Sequence, residues 1–375
     1  MNTPRTPAPE PLTREWPLAL AVVALAASLL AKSWLVSALD SPAGLVLWLV
    51  ALCGVILSAA FAIVRHADVL AHRLGEPAGT LLLTLTITGL EVAMVGFVMS
   101  TGEPKPALAR DTMFAVVMLV LNGFLGLALL LGGLRHREQR FNLQSANTFL
   151  ALIVPLTVLG LVLPNYTNST PGPTLSSFQM VFLSVMSLGI YGVFLFVQNR
   201  RHRGFFLAPE EAADVVEAAP AQESVRSTAY HAVLLAAYGL PLVMLAKQMA
   251  TPLDAMVGRL GAPAALSGFV MALLVLTPES IAAIAAARAN RLQRSVNILL
   301  GSVLASIGLT IPLVITISLS TGRPLDLGLA AVDVVMLVLT LFTSVLTFSL
   351  PRTNLLLGCV HLLLFGAYLM LMFER

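Results

Sequence analysis

The stretch RLGEPA at residues 73–78 recurs as RLGAPA at residues 259–264, 186 positions later. Each copy opens a long apolar run, and each run contains one acid. Glu91 follows the proline of the first copy after 13 residues, and Glu279 follows the second after 15. A carboxylate at mid-bilayer costs about 2.5–3.5 kcal/mol even on the lenient insertion scale. Two such acids behind a repeated entry sequence therefore predict a duplicated functional element, although acids satisfied only by neighbouring helices are the plainer alternative.

The composition indicates the class of protein. The chain has 375 residues, of which 58% are hydrophobic and 11% charged, and its mean hydropathy is +0.89. Soluble domains carry about 25% charged residues. The values predict an all-α integral membrane protein, since the alternation of a β-barrel is missing from the sequence. Cys53 and Cys359 lie in apolar runs and are interpreted as small buried hydrophobic residues rather than a disulfide or a metal-binding pair.

Eleven apolar runs have about the length that crosses 30 Å of hydrocarbon. The predicted spans are residues 16–35, 42–64, 78–101, 112–134, 146–164, 174–197, 228–248, 263–287, 295–320, 326–348 and 353–373. The proline-rich residues 1–15 are expected to be a disordered tail. The spans divide into a leading helix and two five-helix halves, at 42–197 and 228–373.

Loop charges predict the orientation of these spans. With the N-terminus inside, 15 of the 22 Lys and Arg residues fall on the inner side and seven on the outer side. This places the N-terminus in the cytoplasm and the C-terminus outside. The two acid-bearing spans then cross in opposite directions. Inverted repeats of this kind place a site at the midplane in many secondary transporters.

The segment between the halves, 198–227, is polar and acidic. It contains Glu210, Glu211, Asp214, Glu217 and Glu223, with no basic residue between Arg203 and Arg226. The composition favours a solvated cytoplasmic linker. The alternative is a short acidic helix that gathers or senses divalent cations.

The acids have neighbours that suit a hard cation. Thr88 and Gly89 precede Glu91, while Thr277 and Pro278 precede Glu279. Pro278 frees a helix carbonyl, and Gly89 makes its helix easier to unwind. Carbonyls, hydroxyls and carboxylates are ligands for such cations.

Two further runs contribute candidate ligands. Ser302, Ser306 and Thr310 share one face of the predicted ninth span, and Asn122 lies in the fourth. Ion coordination and close helix packing are equally good explanations of the two serines. The predicted cation and proton site therefore comprises Glu91, Glu279, Thr88, Thr277, Asn122, Ser302 and Ser306.

The sequence resembles the ChaA-type cation/proton antiporters of the cation/calcium exchanger superfamily over nearly its whole length after the tail. The blocks that carry the resemblance are 66–67, 75–77, 80–81, Glu91, 110–112, 130–133, 278–279, Asn297, 301–305, 352–354 and 367–370. The resemblance implies ten core helices plus a leading helix. It implies exchange of Ca²⁺, and in some members Na⁺ or K⁺, for protons, with Glu91 and Glu279 as the acids of the two repeats. The Gly-Asn pair that commonly precedes each acid is replaced here by Thr88-Gly89-Leu90 and Leu276-Thr277-Pro278.

The sequence thus predicts a secondary-active antiporter in the inner membrane that exchanges Ca²⁺ for protons, with Na⁺ and K⁺ as further candidate substrates. Its expected partners are inorganic cations, protons and the lipid bilayer, with no nucleic acid and no organic cofactor. Within transport, the alternative is a monovalent Na⁺(K⁺)/H⁺ antiporter on the same scaffold. The rival from another class is a membrane enzyme that uses the two carboxylates as acid and base. His231 and His361 are interpreted as structural histidines, and a role as proton relays is the alternative.

Overall fold

The computed structural model describes residues 15–30, 41–75, 78–101, 104–198, 206, 226–261 and 263–374. The first 14 residues and nearly all of the acidic loop lie outside this set. The described part is helical, apart from one pair of three-residue strands. Its helices are α1 Trp16–Leu30, α2 Pro42–Leu74, α3 Ala78–Ser100, α4 Leu108–His136, α5 Leu143–Leu161, α6 Ser177–Phe196, α7 Thr228–Leu260, α8 Leu266–Arg288, α9 Leu292–Thr321, α10 Ala331–Thr347 and α11 Leu355–Phe373.

Each of the eleven predicted spans corresponds to one helix. Within the described residues, nine helices are long and apolar enough to cross a membrane, and α1 and α10 are shorter apolar helices. The predicted ends of two spans were wrong: α2 and α7 extend to Leu74 and Leu260, ten or more residues beyond the expected 64 and 248. The extra residues include charged side chains and remain helical.

The repeated RLG sequence marks the end of these two long helices. Gly75 follows α2 with φ 67°, and Gly261 follows α7 with φ 66°. Only glycine adopts this region readily, so the residue ends the helix and lets the chain turn into the next span. The repeat is therefore a helix stop that directly precedes each acid-bearing helix.

The two halves match helix by helix. The helices α2 and α7 both have 33 residues, and α3 and α8 both have 23. Their packing matches too, and α2 packs on its equivalent α7. The contact of α3 with α9 in one half corresponds to the contact of α8 with α4 in the other. In the same way, the contact of α6 with α9 corresponds to that of α11 with α4. This exchange of partners is the pattern expected of two repeats related by a two-fold axis.

The core lies around α4 and α9. Of the most apolar 18 residues in each, 78% are buried, against 22% in α6 and 28% in α11. The outer helices present large apolar side chains such as Phe178, Phe182 and Phe342, as expected of a surface that faces lipid. Cys359 is exposed on α11 and Cys53 on α2 is only half-buried, so the expectation that both cysteines are buried was wrong for Cys359 and holds only in part for Cys53.

A short antiparallel ribbon joins the two halves. Strand β1 (Glu138–Arg140) pairs with β2 (Arg352–Asn354), with Gln139 opposite Thr353. The amide of Gln139 also donates to the carbonyl of Ala287, at 2.7 Å. The ribbon thereby ties the ends of α4, α8 and α11 together.

Candidate cation site

The two repeated acids occupy the same position in their helices. Glu91 is the fourteenth of the 23 residues of α3, and Glu279 is the fourteenth of the 23 residues of α8. Glu91 is buried, with 3% of its surface exposed, and Glu279 is half-buried. Both carboxyl groups are hydrogen-bonded to serines of α9 that are four residues apart. The structure therefore brings together two acids that are 188 positions apart in the chain.

One helix supplies a hydroxyl to each carboxylate. Ser306 donates to Oε1 of Glu91, and Ser302 donates to Oε1 of Glu279. The serines are four residues apart, which is about 6 Å along an α-helix. The two carboxylates are thus attached to successive turns of α9, near its middle. These hydrogen bonds give the serines a polar role, where the sequence left close packing as an equal explanation.

The threonines lie beside the acids on the same helices. Thr88 is buried one turn before Glu91 on α3. Thr277 is two residues before Glu279, and its hydroxyl donates to the carbonyl of Leu273 within α8. A hydroxyl that donates in this way keeps its oxygen lone pairs for another partner.

The acid-bearing helices are not unwound at Gly89 or Pro278, where the sequence suggested that they could be. Both α3 and α8 are continuous α-helices through Gly89 and Pro278. Pro278 still has no N–H, so the carbonyl one turn earlier loses its helical partner. The irregular backbone is instead in α4, where residues Met118–Phe124 form a π-helical segment. Such segments are frequent at functional sites.

Asn122 lies in this π segment but is bonded away from the acids. Its amide nitrogen donates to Thr340 at 2.8 Å, and its oxygen is 3.1 Å from Nδ1 of His361. The other ring nitrogen of His361 is 2.9 Å from the hydroxyl of Thr347. These residues form a separate buried polar cluster between α4, α10 and α11. The structure therefore gives Asn122 a different set of partners from the other site residues predicted from the sequence.

Two buried hydroxyls near the acids have no hydrogen-bond partner among the described residues: Thr310, one turn beyond Ser306 on α9, and Ser280, directly after Glu279. Buried polar groups are nearly always paired, so such exceptions need an explanation. The sequence placed Thr310 on the serine face, but it gave no reason to single out Ser280. Groups of three or more His, Cys, Asp or Glu side chains suited to a metal do not occur in the described part of the chain.

Among the described residues, a leading helix is followed by two matching halves of five apolar helices, with the buried Glu91 on α3 and the half-buried Glu279 on α8. This arrangement defines an ion transporter of the membrane-exchanger class. The sequence model described as "Sodium/calcium exchanger protein" matches residues 43–199 and 230–374. The chain belongs to this sodium/calcium exchanger family.

Two curated relatives are similar over most of their length. The "Putative ionic transporter y4hA" of Sinorhizobium fredii is 45% identical over 320 residues, which cover 85% of this chain and 86% of that protein. The "Sodium-potassium/proton antiporter ChaA" of Escherichia coli is 40% identical over 326 residues, covering 87% of this chain and 88% of that protein.

Solved structures share the fold. Native YfkE superimposes with a TM-score of 0.73 at 16% identity, and the match covers 96% of this chain and 100% of the YfkE chain. The H⁺/Ca²⁺ exchanger CAX superimposes with a TM-score of 0.65 at 16% identity, and the match covers 96% of this chain and 89% of the CAX chain. These likenesses establish the all-helical exchanger architecture.

Proposed function

We propose that this protein is a secondary-active antiporter of the inner membrane, which exchanges a cation for protons by alternating access. The observation that carries the proposal is the attachment of Glu91 and Glu279 to successive turns of α9 through Ser306 and Ser302. This arrangement holds two carboxylates side by side in an apolar bundle. The curated relative named as a sodium-potassium/proton antiporter supports the exchange of cations for protons.

The pairing explains why the two substrates exclude each other. Two charged carboxylates without a counter-ion are disfavoured in a low-dielectric interior by desolvation and by mutual repulsion. Bound protons or a bound cation remove the charge, and the same oxygens cannot hold both. Only the loaded states then cross the apolar barrier at low cost, which couples the two fluxes.

The site supplies oxygen ligands in sufficient number for a hard cation. Two carboxylates neutralise one Ca²⁺, which prefers six to eight oxygens. We assign further oxygens to the hydroxyls of Ser302, Ser306, Thr88 and Thr277, with Thr310 and Ser280 as additional candidates. Asn122 is assigned a supporting role, because its amide is bonded to Thr340 and His361.

Two cation classes each have support. Ca²⁺ is supported by the charge of the two-carboxylate set and by the Ca²⁺/H⁺ exchanger structures of the same fold. A monovalent Na⁺ or K⁺ exchange is favoured by the 40% identical relative. For a monovalent ion, one carboxylate would hold the cation while the other keeps a proton, so the same residues serve both cases.

The orientation of the protein in the membrane is part of the proposal. The loop-charge bias supports a cytoplasmic N-terminus and acidic loop and an external C-terminus. The division into halves at 42–197 and 228–373 is supported by the two segments that the family model matches. A membrane enzyme using the same acids has no support from the transporter family to which the chain belongs.

Proteoliposomes containing the purified protein and a lumenal pH dye provide the test. An outward gradient of Ca²⁺, Na⁺ or K⁺ should drive proton uptake, and the ion that does so at the lowest concentration is the physiological candidate. A protein correctly inserted in the liposomes that moves no protons with any of the three ions would contradict the proposed antiport.

A further inference from the structure

The polar cluster of Asn122, Thr340, Thr347 and His361 is buried inside the helix bundle. The exposed fraction is 0% for Asn122, Thr340 and His361 and 1% for Thr347. A histidine is costly in an apolar membrane interior, where such residues usually mark a functional region. The cluster therefore needs an explanation beyond the association of three apolar helices.

The hydrogen bonds of the cluster fix the side chain of Asn122 at both of its polar atoms. Its amide oxygen only accepts, so Nδ1 of His361, 3.1 Å away, donates to it. Its amide nitrogen donates to the hydroxyl of Thr340 at 2.8 Å, and that hydroxyl donates in turn to the sulfur of Met118, at 3.4 Å. The His361 ring also hydrogen-bonds to the backbone of Leu121, directly before Asn122. Two neighbouring helices thus hold one side chain of α4.

The ring of His361 is itself fixed in orientation. Its Nε2 is 2.9 Å from the hydroxyl of Thr347 on α10, so both ring nitrogens have a partner. The helix α11 also packs closely on α4, because a Cβ atom on Gly126 would lie 3.0 Å from Cγ of Leu362. The ring therefore directs its Nδ1 hydrogen at Asn122.

Asn122 lies at about the same depth in the bundle as Glu279. The helices α4 and α8 approach closely near their starts, where a Cβ atom on Gly268 would lie 2.7 Å from the backbone nitrogen of Thr112. Because α8 is the fourth helix after α4, the two run in the same direction. Asn122 is ten residues beyond Thr112, and Glu279 is eleven residues beyond Gly268. Each therefore lies about 15–17 Å further along its helix.

The π segment of α4 connects the cluster to the cation site. This segment, Met118–Phe124, packs on α8, which carries Glu279, and on α9, which carries the two serines. Protein interiors are close-packed and transmit strain, because they contain few voids. A shift of the π segment would therefore displace α8 or α9 and change the spacing of the two carboxylates.

We propose that His361 is a positioning residue for the cation site. By holding Asn122, it fixes the π segment against α8 and α9 and keeps the carboxylates at the spacing that binds a cation. The inference deepens the proposed antiport and rests on it. Loss of the hydrogen bond to Asn122 weakens the apparent cation affinity by about 3- to 18-fold, the range expected for hydrogen bonds between membrane helices. The maximal rate at saturating cation is retained, because the acids and their serines stay in place.

Two substitutions of His361 separate its bond to Asn122 from its other contacts. In His361→Asn, the amide nitrogen can occupy the position of Nδ1 and donate to Asn122. In His361→Gln, it can occupy the position of Nε2 and bond to Thr347 instead. His361→Asn should therefore keep the parental affinity, and His361→Gln should lower it. Proton flux in proteoliposomes, measured against the concentration of Ca²⁺, Na⁺ or K⁺, gives the apparent affinity and the maximal rate.

A second pair of variants tests the other bond of Asn122. Thr340→Val removes the acceptor of its amide nitrogen with little change of side-chain shape, so the affinity should again fall. Thr343→Val is the matched control, since it is the same substitution at a half-buried position of α10 outside the cluster. It should match the parent. If a His361 variant does not insert into the membrane, this pair decides.

A cluster that serves only helix association would give a different result. Both His361 variants would then melt at a lower temperature and have equal cation affinities, and equal affinities overturn the inference. Equal affinities of Thr340→Val and Thr343→Val overturn it as well. A parent that moves no protons with any of the three ions would refute the antiport instead. Calorimetric binding of the same ions to the purified proteins then compares the variants, and a parent that binds none of them has no site for His361 to position.

Discussion

Ser302 and Ser306 lie one turn apart on α9, and each donates its hydroxyl hydrogen to the acid of a different half of the molecule. The serines fix the two carboxylates relative to each other, since both are attached to one rigid helix. The distance between the acids therefore depends on α9 as well as on the packing of α3 against α8. This dependence leads to predictions for the acids and the serines separately.

Replacing Glu91 or Glu279 with glutamine should abolish cation/proton exchange. The amide is nearly isosteric, but it carries no charge for a cation and takes up no proton. Because the two acids act as one unit, the double variant should be no worse than either single variant. Proton flux in proteoliposomes measures the loss, with Glu138→Gln, an exposed acid on β1, as the control. Near-parental exchange by both single variants would show that these acids do not carry the ions.

Replacing Ser302 or Ser306 with alanine should weaken the apparent cation affinity and leave measurable exchange. Each change removes one hydrogen bond to a charged group, worth about 1.5–3 kcal/mol, or roughly a 10- to 150-fold effect. The matched control is Ser320→Ala, because Ser320 is exposed at the end of the same helix and bonds only to the carbonyl of Ile317 among the described residues. If the serines served helix packing alone, the variants would lose thermal stability while keeping the parental affinity.

The orientation can be tested with single cysteines in a background without Cys53 and Cys359. A cysteine within residues 204–223 should be protected from impermeant thiol reagents in intact cells, and one at Thr101 should be labelled. Labelling in permeabilised cells controls for reactivity at each position. The reverse pattern would place the N-terminus outside and exchange the two faces of the transporter.

Close packing of α4 and α11 gives a prediction for stability. A Cβ atom on Gly358 would lie 2.5 Å from the backbone nitrogen of Leu130, whereas one on Gly366 would have no atom within 4 Å. Gly358→Ala should therefore destabilise the protein by about 1–3 kcal/mol, since backbone atoms must move. Gly366→Ala on the same helix should be neutral or slightly stabilising. Thermal unfolding in detergent compares them, and equal melting temperatures would contradict the close approach.

The sequence predicted the features that depend on local chemistry. Glu91 and Glu279 could be found because an acid in an apolar run is costly and was repeated. The eleven helices followed from hydropathy, although α2 and α7, with 33 residues each, are longer than the roughly 20 residues that cross the hydrocarbon. Hydropathy does not predict where such additional helical turns end. The exchanger fold and family membership were confirmed by the comparisons.

Features that depend on tertiary contact could not be predicted. Asn122 was grouped with the acids by its helix, yet the π segment and its partners on α10 and α11 direct it elsewhere. Nothing near His66 in the sequence indicates that its ring lies 2.9 Å from the ring of His231, 165 positions away. Ligand roles for the seven residues predicted from the sequence remain predictions.

The two halves repeat in length and packing, but the helices that face the acids do not repeat in chemistry. The helix α9 contributes a hydroxyl to each acid, whereas the described contacts of Asn122 on α4 run to Thr340 and His361. Two identical halves would give inward-facing and outward-facing forms of equal free energy. Here one helix is bonded to both acids and its counterpart is bonded elsewhere, so under the proposed alternating access we expect the two forms to differ in free energy. We therefore expect one of them to predominate at rest.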